Sequence, residues 1–127
     1  MEQGVKLVIM ESQKGLIHYS DRIFAQEPGL GYKPVDESLA VILGAGESRA
    51  FLETLGIGGE IITTPSHSED SISVILDDGT AIVGDLEPLE YLAGYEDNKV
   101  LKADWDRILG YKPKRVLYAH ANAKELD

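Results

Sequence analysis

Hydrophobic positions along the chain fall in two patterns: short runs or every-second alternation, which suit strands, and spacings of three and four, which suit helices. Residues 5–10 (VKLVIM) form a short apolar run that fits a buried strand. Across residues 12–24, Leu16, Tyr19 or Ser20, and Ile23 fall on one side at helical spacing. Residues 25–37 (AQEPGLGYKPVDE) interrupt the pattern with Pro and Gly and read as a long surface loop. A second helix is expected from Glu47 or Ser48, burying Phe51, Leu52 and Leu55 and stopping at Gly56, a residue at ease in the left-handed cap conformation.

Residues 60–63 then read as a strand. Residues 71–76 alternate Ser, Ile, Ser, Val before an apolar end, Asp78-Gly79 supplies a tight turn, and residues 81–84 run back as the second arm of a hairpin. From Asn98, a suitable N-cap, Leu101, Trp105, Ile108 and Leu109 recur at the spacing of an amphipathic helix, with Gly110 as its expected stop. Residues 115–119 form a last short strand that delivers His120 at its end. The whole predicts one α/β domain over residues 1–127, a mixed β-sheet with helices packed on one face.

Composition narrows the partners. The chain carries 22 acidic against 12 basic residues, a net charge of −10, which repels phosphate backbones and anionic lipid; neither nucleic acid nor a membrane surface is expected. No cysteine is present, so a transition-metal site would have to use His, Asp or Glu. No signal-peptide core or spanning apolar run is found, so a cytoplasmic location is expected.

The chemistry concentrates around the hairpin. His67 stands just before it and Asp85 just after, so antiparallel pairing returns the chain to its starting point and makes the two residues neighbours. His120, at the exit of another strand, reaches the same rim if that strand joins the sheet in the matching direction. Two imidazoles and a carboxylate suit Zn, Fe or Mn. Glu69 and Asp70 read as hairpin and solubility residues, Asp77 and Asp78 as turn formers, and His18 as a surface histidine with no ligand-spaced mate.

Three segments in order, Thr64-Pro65-Ser66-His67, Val83-Gly84-Asp85 and Tyr118-Ala119-His120, resemble the later metal motifs of the metallo-β-lactamase superfamily. The lead-in ESRAFLETLGIGGEII and the intervening DSISVILDDG are also similar to that family's hydrolase-like members. The resemblance implies part of an αββα sandwich and a binuclear site, His67 binding the first metal, Asp85 bridging both and His120 binding the second. It implies metal-assisted hydrolysis of a small-molecule substrate, without choosing among thioester, lactone, β-lactam and phosphodiester.

The family's first motif, HxHxDH, is nowhere in the sequence, and residues 1–13 are similar to the segment that follows it. Three ligands shared between two positions are too few, so metal binding by this chain alone is expected to be weak or absent and the centre incomplete. Ser66 and Ala119 stand where the family commonly has Gly. VILGAGESRAF, residues 41–51, imitates the opening of a dinucleotide-binding turn, but Arg49 occupies the place of the third glycine, and a simple bend before a helix is expected instead.

Strand residues Ile72, Val74, Leu76 and Val83, with Val5, Leu7 and Ile9, are more apolar than one solvated face needs. The expected consequence is association through a sheet face, as a homo-oligomer or with a separate partner chain. The alternative to a hydrolase is a non-catalytic binding or assembly module that retains part of the fold.

Overall fold

The computed structural model describes residues 4–16, 38, 40–93 and 97–126. They fall into two compact units, Met1–Ala45 and Gly46–Asp127.

In the first unit, β1 (Val8–Met10) pairs in parallel with β2 (Val41–Leu43), Val8 opposite Val41 and Met10 opposite Leu43. The strand expected over residues 5–10 is shorter, and Val5 is exposed. A single 3₁₀ turn, Glu11–Gln13, follows, with Gln13 Oε1 accepting the Met10 N–H at 3.0 Å. The helix expected from Ser12 is therefore not seen at its start: Lys14 is extended and Gly15 has φ +86°, which ends the helical run. The rest of that helix, His18 and the loop over residues 25–37 lie outside the described residues. Gly44 to Gly46 make the expected bend, Gly46 at φ +84°.

The second unit holds a five-stranded mixed sheet in the order β3 (Gly59–Thr63), β4 (Ile72–Leu76), β5 (Thr80–Gly84), β6 (Arg115–Tyr118) and β7 (Lys124–Glu125). Only β5 and β6 run parallel; the other neighbours are antiparallel. Among the described residues it also holds two α-helices, α1 (Ser48–Thr54) and α2 (Lys99–Gly110), and a 3₁₀ helix, Leu89–Ala93. This is the α/β fold with a mixed sheet that the hydrophobic pattern predicts.

Alternation along β4 sorts the two sheet faces. Ser73 and Ile75 point inward, and Ile75 joins Ala81 and Val83 of β5 and Val116 of β6 in a core closed by Leu101, Trp105 and Ile108 of α2. The inward Ser73 is tolerated because its hydroxyl pairs with that of Thr64 at 2.9 Å, both side chains fully buried. Asn98 caps α2 as expected, its Oδ1 accepting the Leu101 N–H at 3.0 Å. The helix stops at Gly110 as expected, and the left-handed turn that follows falls on Lys112, φ +54°.

Cross-strand register places Ile61, Val74, Ile82 and Leu117 in one row on the opposite face. Ile82 and Leu117 are 40% and 36% exposed.

The helix α1 begins where expected, and Gly56 follows it with φ +78°. The expected burial of Leu55 is not found; it is exposed, while Phe51 and Leu52 are half-buried. The buried residue is Ser48. Thr64 N–H bonds Ser71 and Asp77 N–H bonds Gly58, which sets the ladder so that the N–H and C=O of Ile61 point away from β4. The Ser48 hydroxyl satisfies both, accepting from Ile61 N at 2.8 Å and donating to Ile61 O at 3.3 Å. Among the described residues, no helix is long and apolar enough to cross a membrane.

Candidate functional site

Strand direction explains where the three singled-out residues meet. β3 and β5 are each antiparallel to β4, and β6 is parallel to β5, so β3, β5 and β6 all end at the same edge of the sheet. His67 follows β3, Asp85 follows β5 and His120 follows β6. In sheets with parallel strands, the carboxyl ends are the usual place for loops to converge on a ligand.

Local chemistry sets each approach. Gly84 has φ +59° at an irregularity in the β5–β6 pairing, a backbone that residues with a Cβ rarely adopt, and it turns Asp85 out of the sheet. The Ala119 N–H donates to Gly84 O at 2.9 Å, tying the exit of β6, and with it His120, to the same turn.

His120 Nε2 lies 3.1 Å from Asp85 Oδ1, and His67 Nε2 lies 3.9 Å from Asp85 Oδ2. Each oxygen of one carboxylate thus faces a different imidazole. The side chains of His67 and Asp85 are 46% exposed and that of His120 is 86% exposed. The sequence expectation that they share one rim is met. Among the described residues, no three His, Cys, Asp or Glu side chains converge tightly enough to hold a single ion.

The cluster divides two clefts. A cleft of about 400 Å³ on the His120 side is lined by Leu86, Pro88, Tyr91 and Tyr118. Burial pushes the Tyr118 phenol above its usual range, so it stays protonated near neutral pH, and its oxygen accepts the Leu89 N–H at 3.3 Å. On the other side, about 350 Å³ is bordered by Ser68, Asp70, Ser71 and Ile72. An apolar, aromatic wall faces a polar one across the carboxylate.

Sequence reasoning passed over Asp104 and Arg107. Asp104 is buried and its Oδ2 accepts the Ser66 N–H at 2.9 Å, directly before His67. The signal was available: Asp104 falls in the same helical stripe as Leu101, Trp105 and Ile108, a place where a charged residue needs a reason.

The fold and the rim define an α/β protein whose mixed sheet presents a His–Asp–His cluster at its carboxyl edge. No family model matches the chain, and no solved structure matches it. A stretch of 72 residues is 31% identical to a Drosophila melanogaster protein described as "Beta-lactamase-like protein 2 homolog". That stretch is 57% of this chain and 25% of the relative, so the chain is similar to a β-lactamase-like protein over about a quarter of the latter's length.

Proposed function

We propose that the chain supplies part of a metallo-β-lactamase-like hydrolase centre, in which Asp85 bridges two metal positions and His67 and His120 serve one each. The observation that carries the reading is the placement of the two imidazoles on opposite oxygens of the Asp85 carboxylate. The similarity to a β-lactamase-like protein supports the class. The donors suit Zn, Fe or Mn in kind, and they fit a bridging arrangement. They do not fit a closed site: each position receives one imidazole and one carboxylate oxygen, where zinc takes three or four protein ligands.

When bound, such metals acidify a water molecule and polarise the bond under attack. This chain's own contribution is to aim the Nε2 atoms of both imidazoles at one carboxylate and to place Leu86, Pro88 and Tyr91 as an apolar wall on one side of them. The activity and substrate of any larger assembly follow from the remaining ligands and from the two clefts.

Titration with Zn(II) or Co(II), followed by calorimetry and metal analysis, tests the reading. Weak binding is expected, reduced by at least about 10- to 100-fold in Asp85→Ala, the scale on which even outer-shell partners act. Smaller losses are expected in His67→Ala and in His120→Ala. Binding that is untouched by Asp85→Ala would end this reading.

A second reading, assembly without catalysis, is favoured by the row Ile61, Val74, Ile82 and Leu117 on the sheet face opposite α2. Association through this face, with a second copy or a partner chain, would cover it. Light scattering at micromolar concentration is expected to show a species larger than the monomer that reverts to monomer in Leu117→Glu. A strict monomer of the unsubstituted chain removes the second copy as the occupant.

A further inference from the structure

Asp104 is 1% exposed on the inner stripe of α2, where an aliphatic residue would pack at less cost. A carboxylate persists out of water only when it is paired and fully hydrogen-bonded. Its partners define what it holds. Oδ2 accepts the Ser66 N–H at 2.9 Å, and Oδ1 accepts from Nη2 of Arg107, one turn further along the helix. The same Arg107 nitrogen donates to Thr63 O at 2.7 Å. Both ends of the run from Thr63 to Ser66 are therefore fastened to one turn of α2. Its middle is fastened to β4 through the Thr64 and Ser73 hydroxyls, and to the residue before that strand through the Thr64 N–H to Ser71 O at 3.0 Å.

Ser66 takes no part through its own side chain, since its hydroxyl is buried without a hydrogen-bond partner. The backbone N–H is the tether, and the next residue is His67. His120 reaches Asp85 from a different anchor, the Ala119 N–H on Gly84 O.

We propose that Asp104 is a positioning residue: through the Ser66 N–H it fixes the loop that sets His67 against Asp85, and it has no hold on His120. The role concerns the geometry of the cluster and rests on the metal-centre reading only in its last readout.

The test compares three variants of the whole chain by NMR. Asp104→Leu keeps the stripe apolar and removes the acceptor. Ser66→Pro removes the donor from the other side and leaves Asp104 paired with Arg107. Asp104→Asn retains an acceptor oxygen. In Asp104→Leu, exchange of the Ser66 amide is expected to accelerate about 10- to 100-fold, the scale of a hydrogen bond to a charged group. Ring-proton contacts from His67 to Asp85 are expected to vanish in Asp104→Leu and in Ser66→Pro, and to survive in Asp104→Asn. Contacts from His120 to Asp85 and protection of the Val116 amide should stay at their original values in all three.

The proposal is overturned if His67 keeps its contacts with Asp85 in either of the first two variants, or if His120 loses its contacts along with His67. Should Asp104→Leu fail to fold, Ser66→Pro decides alone. Co(II) titration then adds a fold-loss of about 10- to 100-fold in Asp104→Leu. The ring contacts decide the role of Asp104 whether or not the unsubstituted chain binds Co(II).

Discussion

Truncation of Trp105 to alanine is expected to lower stability by about 3–5 kcal/mol, which is the range for deleting a buried aromatic side chain. Trp105 is fully buried against Ile75, Ala81, Val83 and Val116, and its ring lies 6.3 Å from that of Tyr118 at 59°. Folded domains of this size hold about 5–15 kcal/mol in all, so the loss is a large fraction of the total. The indole also donates from Nε1 to Glu87 O at 2.9 Å, two residues beyond Asp85. Removing it leaves a carbonyl without its partner and frees the segment that walls the larger cleft. Urea unfolding followed by circular dichroism measures the loss. Trp105→Phe separates its parts: most packing is kept, and the missing donor alone should cost about 1–3 kcal/mol. A midpoint unchanged by Trp105→Ala would mean that α2 does not close the core.

Gly59→Ala is expected to be the most costly of the small substitutions, by about 1–3 kcal/mol or more, the range for overpacking a filled interior. A Cβ there would stand 2.5 Å from Ile75 O and 3.1 Å from Leu76 Cα. Both atoms belong to the backbone of β4, so no side-chain rotation relieves the clash, and β3 must shift away from its partner. That shift propagates along β3 to Thr63 and the tethered run that precedes His67. A control lies in α2: at Gly110 an added Cβ meets nothing within 4 Å, and alanine there should be neutral or stabilising by about 0.5–1 kcal/mol. Equal midpoints for the two variants in a denaturant titration would contradict the close approach of β3 and β4.

The hairpin, α2 and the meeting of His67, Asp85 and His120 were legible in the sequence because each depends on local pattern plus one rule of pairing. Ser, Ile, Ser, Val and Asp-Gly declare two strands and a turn; strand direction then brings residues 67 and 85 together. Placing His120 needed one further condition, a parallel β6 beside β5, and the structure supplies it.

What escaped depends on tertiary context. β7 is two polar residues, Lys124 and Glu125, with no alternation to announce it. Leu55 fits the periodicity of a buried helix face, yet α1 is seven residues long and Leu55 lies past its end. Asp104 carries no local signature beyond its wrong polarity for its stripe, and its meaning appears only when Ser66, 38 positions away in sequence, is found on its oxygen.

Three of the outward hydrogen-bonding groups of β3 are taken by side chains. Ser48 occupies both groups of Ile61, and Arg107 occupies the carbonyl of Thr63. A foreign strand seeking to extend the sheet there would first have to evict a hydroxyl and a guanidinium, each already well bonded, before gaining any ladder of its own. At the far side, β7 offers a template only two residues long and charged at both. The sheet is thereby protected at both margins against fibre-like growth.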